Sequence, residues 1–393
     1  MKILMVSSYL PYPLWDGGRI RLYNILKFLK KDHEVTLVCE KRPNQQSRDE
    51  EEIAKVCRKL IVTQRPKVWS FGNISRSLLS TNSLLVTSHT NKKFKKAIKD
   101  ELNSEKFDLI HVETFYVMQN LPKVDIPVVL TEHNIEFEVY KRYAGKSTFY
   151  IKPFLYQDIL KLKRQERQSW KKADKLIAVS PHEQKIMGDK VYLVPNGVDT
   201  NKFRFKKNEK NNKNKKVLFI GDFKWVQNRD SAVFIIKNIW PRILYENKNK
   251  FNLKLWVVGK NIPERIKSLK ENSIIFDENA PDQTEQIFKN ADILLAPIRI
   301  GGGSSFKILE AMSTGVPVIT SKLGNEGIGA KDGSEIKVCI LPEEYVGATI
   351  KLLNDDYLYE KISRNARAFV EENFDWTKIV KKLEDVYRSA VSK

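Results

Sequence analysis

The chain has 393 residues, too many for one typical hydrophobic core, so two domains are expected. Hydrophobic residues make up 41% and aromatics 10%, an ordinary globular balance, and no apolar run approaches the ~20 residues of a membrane-spanning helix. The net charge of +21 leaves nucleic acid, anionic lipid and anionic substrates open as partners, alongside a general lysine and asparagine bias.

Met1-Lys2-Ile3-Leu4-Met5-Val6 is too short for a signal peptide and is expected as a first buried strand. Tyr9-Leu10-Pro11-Tyr12-Pro13 then excludes helix. Asp16-Gly17-Gly18-Arg19 opens one, with Ile20, Tyr23, Leu26 and Leu29 on a single face. Gly17 and Gly18 thus make a glycine loop at a helix N-terminus after a strand, a place that suits an anion. Glu34-Val35-Thr36-Leu37-Val38-Cys39 reads as the next strand. Cys39, Cys57 and Cys339 are few, odd in number and without metal spacing, which points to a reducing, cytoplasmic setting.

From Lys67 to Lys99 apolar residues such as Val68, Trp69, Leu78 and Leu79 show little periodicity. Lys92-Lys93-Phe94-Lys95-Lys96-Ala97-Ile98-Lys99 is a short basic amphipathic helix, either packed on a sheet or lying on a membrane surface. Asp108–Glu113 and Pro127–Thr131 are buried strands. The second runs into Glu132-His133-Asn134, a His beside a carboxylate at a strand's C-terminal end, where α/β proteins place their chemistry. His111, Glu113 and His133 lack a third ligand at the needed spacing, so no metal is expected and hydrogen-bonded roles are expected for His111 and Glu113. Residues 141–172 read as one or two basic helices with a solvated face.

Val191–Val194 is a strand followed by Pro195-Asn196-Gly197-Val198-Asp199. Residues 204–216 are rich in Lys and Asn and nearly free of apolar residues, a linker or exposed loop. Lys216–Gly221 then restarts a strand–loop–helix pattern, so a second domain begins near residue 201. Its first loop carries Lys224 and Arg229. Leu253–Gly259 and Ile274–Asn279 continue the alternation.

The most informative stretch is Pro297-Ile298-Arg299-Ile300-Gly301-Gly302-Gly303-Ser304-Ser305-Phe306-Lys307-Ile308-Leu309-Glu310-Ala311-Met312. It reads as strand, glycine loop and helix N-terminus, with Phe306, Leu309 and Met312 on one buried face. Gly302, Gly303, Ser304 and Ser305 would present backbone N–H groups and hydroxyls to a phosphate. Lys307 and Glu310 share a helix face just beyond. A cation and a carboxylate so placed fit a nucleotide, with diphosphate at the loop and ribose at Glu310. A second glycine-rich loop, Gly324-Asn325-Glu326-Gly327-Ile328-Gly329, follows the next strand.

Here the sequence resembles the retaining, nucleotide-sugar-dependent glycosyltransferases of the GT-B fold, the family-four or group 1 type. Their signature is Glu, seven residues, then Glu-Ala-Met, a small residue, Gly and Pro-Val. This chain keeps Glu310-Ala311-Met312, Gly315 and Pro317-Val318 and departs at the first Glu, where Gly302 stands. Pro195–Asp199 also matches the family. The resemblance implies an α/β fold of two Rossmann-like domains facing across a cleft: 1–200 on the acceptor side, 201–375 binding the nucleotide sugar, and 376–393 a C-terminal helix crossing back. It implies that His133 touches the donor sugar, with Glu132 and Asn134 beside it, and that Gly17 and Gly18 lie near the donor phosphates. The family's basic pair in the 221–229 loop meets Asp222 in the Arg place, leaving Lys224, Arg229 and Lys307 to contact diphosphate. The last helix carries Ile379, Leu383 and Val386 on one face.

The expected activity is retaining, metal-independent transfer from a nucleotide-diphosphate sugar to a glycan or lipid-linked acceptor, in polysaccharide or glycolipid biosynthesis. No cofactor other than the donor substrate is expected. Attachment to an anionic membrane surface from the cytoplasmic side fits the charge. Two rivals remain open: a nucleotide-sugar 2-epimerase on the same fold, and a basic nucleic-acid-binding protein. Strands buried on both faces argue against nucleic acid, since exposed aromatics would be needed there.

Overall fold

Ile3-Leu4-Met5-Val6 is buried at every position, as a parallel strand covered on both faces must be. The structure is a computed structural model and describes residues 1–65, 71–78, 80–145, 147–206, 213–279, 284–301 and 303–392. Val68, Trp69 and Leu79 of the irregular stretch, and residues 207–212 of the expected linker, lie outside the described residues. The chain divides into two compact units, Met1–Val194 with Val380–Lys393, and Pro195–Ile379.

The first unit holds β1 (Lys2–Ser7), β2 (Glu34–Lys41), β3 (Lys59–Gln64), β4 (Leu109–Glu113), β5 (Val128–Glu132), β6 (Lys175–Ala178) and β7 (Val191–Leu193). They form one sheet in the order β3-β2-β1-β4-β5-β6-β7, and every pairing is parallel. The second unit holds β8 (Asn214–Ile220), β9 (Asn252–Val258), β10 (Ile274–Asp277), β11 (Ile293–Ala296), β12 (Val318–Ser321) and β13 (Lys337–Cys339). Their order is β10-β9-β8-β11-β12-β13, again all parallel. Each sheet reverses its winding once, between β1 and β4 and between β8 and β11. Loops leaving the two strands at such a reversal diverge and open a crevice at their C-terminal ends.

Period-2 alternation splits each central strand between two cores. In β8, Val217 and Phe219 join Trp240, Leu255 and Tyr345 on one side. Leu218 and Ile220 join Leu294, Leu309 and Met312 on the other. The sequence pattern missed β3 and β13. Both are edge strands, β3 half-buried along most of its length and β13 only three residues long, so neither carries a continuous apolar run.

The basic helix at 92–99 extends over Lys92–Ser104, with Asn91 accepting from Lys93 N at 3.0 Å. Phe94 and Ile98 are fully buried in the first unit's core. Its apolar face is therefore used within the fold, as the first of the two alternatives for this helix expects. The basic stretch further on forms two helices, Glu136–Gly145 and Lys152–Lys172, around a short turn at Phe149–Ile151. Glu166 of the second caps the first, accepting from Glu136 N at 2.8 Å and Phe137 N at 3.1 Å. The C-terminal helix is Trp376–Val391, and from Val380 onward it belongs to the first unit, where Tyr387 is fully buried.

Both faces of the second sheet being covered, Leu218→Ala and Phe219→Ala should each lower the unfolding free energy of that unit by about 2–5 kcal/mol. Urea denaturation followed by circular dichroism reads this. A sheet with one wet face would show the cost at only one of the two positions.

Candidate functional site

In the second unit the helix that follows β8, Val226–Phe234, is tied to the loop after β11, its neighbour across the reversal. Ser231 Oγ donates to Pro297 O at 3.0 Å, and Arg299 forms a two-pronged pair with Asp230 at 3.0 and 2.8 Å. The strand β11 ends at Ala296, and the helix Phe306–Thr314 follows the glycine loop. Gly301 and Gly303 have φ of +104° and +82°, values that L side chains resist. Gly302 lies outside the described residues. The second glycine loop supports the first: a Cβ on Gly327 would stand 2.3 Å from Gly303 C and 2.5 Å from Ser304 N.

Ser304 is buried, and its role is structural. Its Oγ accepts from Asn196 N at 3.2 Å, and its carbonyl accepts from the Asn196 side-chain amide at 3.1 Å. Pro195–Asp199 is itself anchored, Val198 N donating to Phe374 O at 2.8 Å and Trp376 N to Val198 O at 3.2 Å. Three motifs far apart in sequence thus lock one loop. Ser305 is the N-cap residue of the helix, but its side chain makes no capping hydrogen bond. The first turn therefore heads into the loop without a side-chain oxygen on its N–H groups, as a site for an external anion requires.

Lys307 Nζ donates to Asn228 Oδ1 at 2.8 Å and lies 4.8 Å above the Phe219 ring. Asn228 in turn donates to Asp222 O at 2.8 Å, tying the glycine-loop helix to the 221–229 loop. Burial pushes the Lys307 ammonium down to about 8 and the Glu310 carboxyl up to about 8. Lys224 is exposed, pairs with Asp222 at 3.2 Å and covers the Trp225 ring at 5.2 Å. Arg229 donates to Lys224 O at 3.2 Å while its buried Nε has no partner. Lys307 is thus tied through Asn228 to the segment that carries Asp222, Lys224 and Arg229, while Gly303 and Ser305 precede it and Glu310 follows one turn along the same helix.

The first unit carries the remaining candidates. Asp16 caps the helix Gly17–Leu29, accepting from Arg19 N at 3.1 Å, so the terminus at Gly17 and Gly18 already has a carboxylate. Gly18 also makes room for Tyr9, whose Oη would be 3.0 Å from a Cβ there. His133 leaves β5 partly exposed, and Nε2 donates to Glu113 Oε2. Burial alone would raise Glu113, but the charges of His133, His111 and Arg21, with the His133 hydrogen bond, outweigh it and hold the carboxyl at about 2. An ionised Glu113 can only accept, so Nε2 of His133 carries a hydrogen and the ring is held in one orientation. His111 is fully buried, 2.5 Å from Tyr387 Oη and 2.8 Å from Thr131 Oγ1. Asn134 is exposed beside His133.

Glu132 does not belong with them, which corrects the sequence expectation. As the last residue of β5 its side chain turns into the core, accepting from Trp170 Nε1 at 3.0 Å and Phe115 N at 3.4 Å. Burial pushes its carboxyl well above the usual range. Glu113 takes the hydrogen-bonded role expected of it, and its partner is His133. Its only signal was position: the last residue of the strand before β5, level with Thr131 in register.

A family model described as "Glycosyltransferase Family 4" matches residues 15–202, and one described as "Glycosyl transferases group 1" matches residues 214–355. The chain is 23% identical over 391 residues to an uncharacterized 44.6 kDa protein in the cps region of Klebsiella pneumoniae, covering 96% of this chain and 97% of that one. It is 25% identical over 317 residues to the UDP-Gal:alpha-D-GlcNAc-diphosphoundecaprenol alpha-1,3-galactosyltransferase of Escherichia coli, covering 73% and 76%. Among solved structures, sucrose-phosphate synthase from Thermosynechococcus elongatus superposes with a TM-score of 0.72 at 17% identity, with both chains fully covered.

The raised Glu310 has a stability consequence. Its protonated form is favoured in the fold, so its contribution is fully present below the ordinary value of 4.5 and lost as pH rises through about 8. Lys307, lowered from 10.5, contributes in the opposite sense and only above about 8. Glu310→Gln should therefore stabilise the ligand-free protein at pH 8 and leave it near wild type at pH 5. Urea midpoints at the two pH values check this, and a variant equally or less stable at pH 8 would contradict the burial argument.

Proposed function

The chain belongs to the family-four, group 1 glycosyltransferases of the GT-B fold, and we propose that it moves a sugar from a nucleoside-diphosphate sugar to a glycan or lipid-linked acceptor, with retention and without a metal. The observation that carries the donor assignment is the loop and helix that follow β11 at the reversal beside β8. There an uncapped helix terminus, Lys307 and Glu310 stand in sequence along one helix. Such a terminus offers N–H groups and a partial positive charge to a diphosphate. Lys307, held by Asn228, adds an ammonium group already oriented along the same helix. As the bond from the anomeric carbon to the diphosphate breaks, negative charge grows on the leaving oxygen, and groups already pointed at it stabilise that state.

Glu310 accepts the two ribose hydroxyls in this reading. Those donors favour its ionised form, so donor binding opposes the burial that raises the carboxyl. His133, fixed by Glu113, holds the donor sugar, and Asn134 adds an exposed amide beside it. In this reading the diphosphate charge is met by protein groups, the helix terminus and Lys307. The Escherichia coli relative takes UDP-Gal and a diphosphoundecaprenol-linked acceptor by its name, which supports the choice of donor and acceptor class.

A panel of nucleotide sugars, each incubated with and without lipid-linked and oligosaccharide acceptors and followed by NMR, tests the reading. The new glycosidic bond should keep the donor's anomeric configuration. Conversion of a donor with no acceptor present would mark an epimerase instead. Glu310→Ala should weaken donor binding roughly ten- to a hundredfold, the loss of charged hydrogen bonds, while the protein stays folded. Affinity within twofold of wild type would remove the ribose assignment. Turnover should also survive EDTA, and a complete loss restored by manganese would overturn the metal-free mechanism.

A further inference from the structure

Exposed large apolar residues are scattered singly or in pairs over most of the surface, as is usual. One segment differs. At the turn joining the helices Glu136–Gly145 and Lys152–Lys172, Phe149 is 81% exposed, Tyr150 85%, Ile151 45% and Phe154 64%. Tyr143 on the helix before and Leu160 on the helix after are exposed as well. Phe149 and Tyr150 pack edge to face on each other, at 6.0 Å between ring centres. Water surrounds four apolar side chains within six residues, a cost that nothing inside this unit relieves.

The charges around this tip are one-sided. Residues 141–172 contain ten Lys and Arg but only two acidic residues, Asp158 and Glu166. Both acids turn inward: Asp158 accepts from Leu84 N at 2.9 Å, and Glu166 caps the neighbouring helix. Lys141, Arg142, Arg164 and Arg167 are exposed. An apolar, aromatic tip ringed by cations fits the boundary between headgroups and acyl chains of an anionic bilayer.

We propose that the turn Phe149–Phe154 is a wedge that inserts into an anionic lipid surface, with the basic residues of the two flanking helices contacting headgroups. A second copy of the chain is a poor occupant, because it would bring the same unbalanced cations face to face. The isolated aliphatic residues Ile151 and Leu160 have no use in base stacking, which sets lipid above single-stranded nucleic acid. The surface lies in the first unit and does not depend on the donor assignment, so it can fail or hold independently of the transfer reaction.

The three native cysteines are all buried, so a single exposed cysteine can be labelled selectively. The full chain carrying Thr148→Cys, labelled with a polarity-sensitive fluorophore, is mixed with vesicles of phosphatidylcholine containing 30% phosphatidylglycerol. Emission should shift to the blue with those vesicles, stay unchanged with pure phosphatidylcholine, and largely revert in 1 M NaCl, where the screening length is roughly 3 Å. In co-sedimentation, Phe149→Ser/Tyr150→Ser/Phe154→Ser should reduce the partition coefficient at least tenfold, while the melting temperature and circular dichroism spectrum stay as in the unsubstituted protein. Lys141→Glu/Arg142→Glu should reduce it as well, and more strongly at low salt than at high. No blue shift with either vesicle, equal partition of the triple variant, or displacement of the protein from vesicles by single-stranded RNA with loss of the shift would each overturn the proposal.

Discussion

A parallel sheet delivers the C-terminal end of every strand to the same edge. That constraint governs both units here, since each of the eleven strand pairings is parallel. Loops after the strands can then cooperate only along one rim, and only where the winding reverses do they leave a crevice. In the second unit the reversal falls between β8 and β11, and the helices carrying Asn228 and Lys307 are the two that follow those strands. In the first unit the reversal is at β1 and β4, and Glu113 closes β4. The chemistry of both units is thus placed by topology before any side chain is chosen.

Side chains then decide what each crevice does with charge. Glu113 and Glu310 are both carboxylates at a strand or loop rim, with opposite outcomes. Glu113 is wholly buried yet held at about 2, because His133, His111 and Arg21 surround it with compensating charge. Glu310 has Lys307 one turn away, but burial dominates and the carboxyl rises to about 8. The first arrangement suits a positioning group that must stay an acceptor. The second suits a ligand contact that gains its full value only when donors arrive. Both depend on scaffolding that takes no part in chemistry, such as the Asn196 clamp on Ser304 and the close approach of Gly327 to Gly303.

The two basic segments of the first unit show how tertiary packing sorts surfaces that look alike in sequence. Lys92–Ser104 and the 141–172 region are both rich in lysine and interleaved with apolar residues. The first puts Phe94 and Ile98 in the core and exposes Lys92, Lys93, Lys95, Lys96 and Lys99. The second packs Ile159, Leu162 and Trp170 inward and still leaves Phe149, Tyr150 and Phe154 in water. Periodicity marks an apolar face, but whether that face is covered depends on how many apolar residues the segment has beyond what its neighbours can bury.

Much of the fold was written in local sequence. Apolar runs marked the central strands because both faces of a parallel sheet are dry. Gly301, Ser305, Lys307 and Glu310 were legible because strand, loop and helix follow one another within a few residues, so the crevice rim is a local object. The edge strands β3 and β13 were not, since half-buried strands lose the apolar run. Nor were the roles of Ser304 and Glu132, or the partner that Glu113 takes. Whether a carboxylate or hydroxyl faces solvent or a buried partner depends on residues such as Asn196, Trp170 and His133, which lie 20 or more positions away. Residue type and spacing determined which groups stand near the rim. Only packing decided which of them remain free to act, because burial and the nearest charge set the state of each polar group, and neither is encoded in its neighbours along the chain.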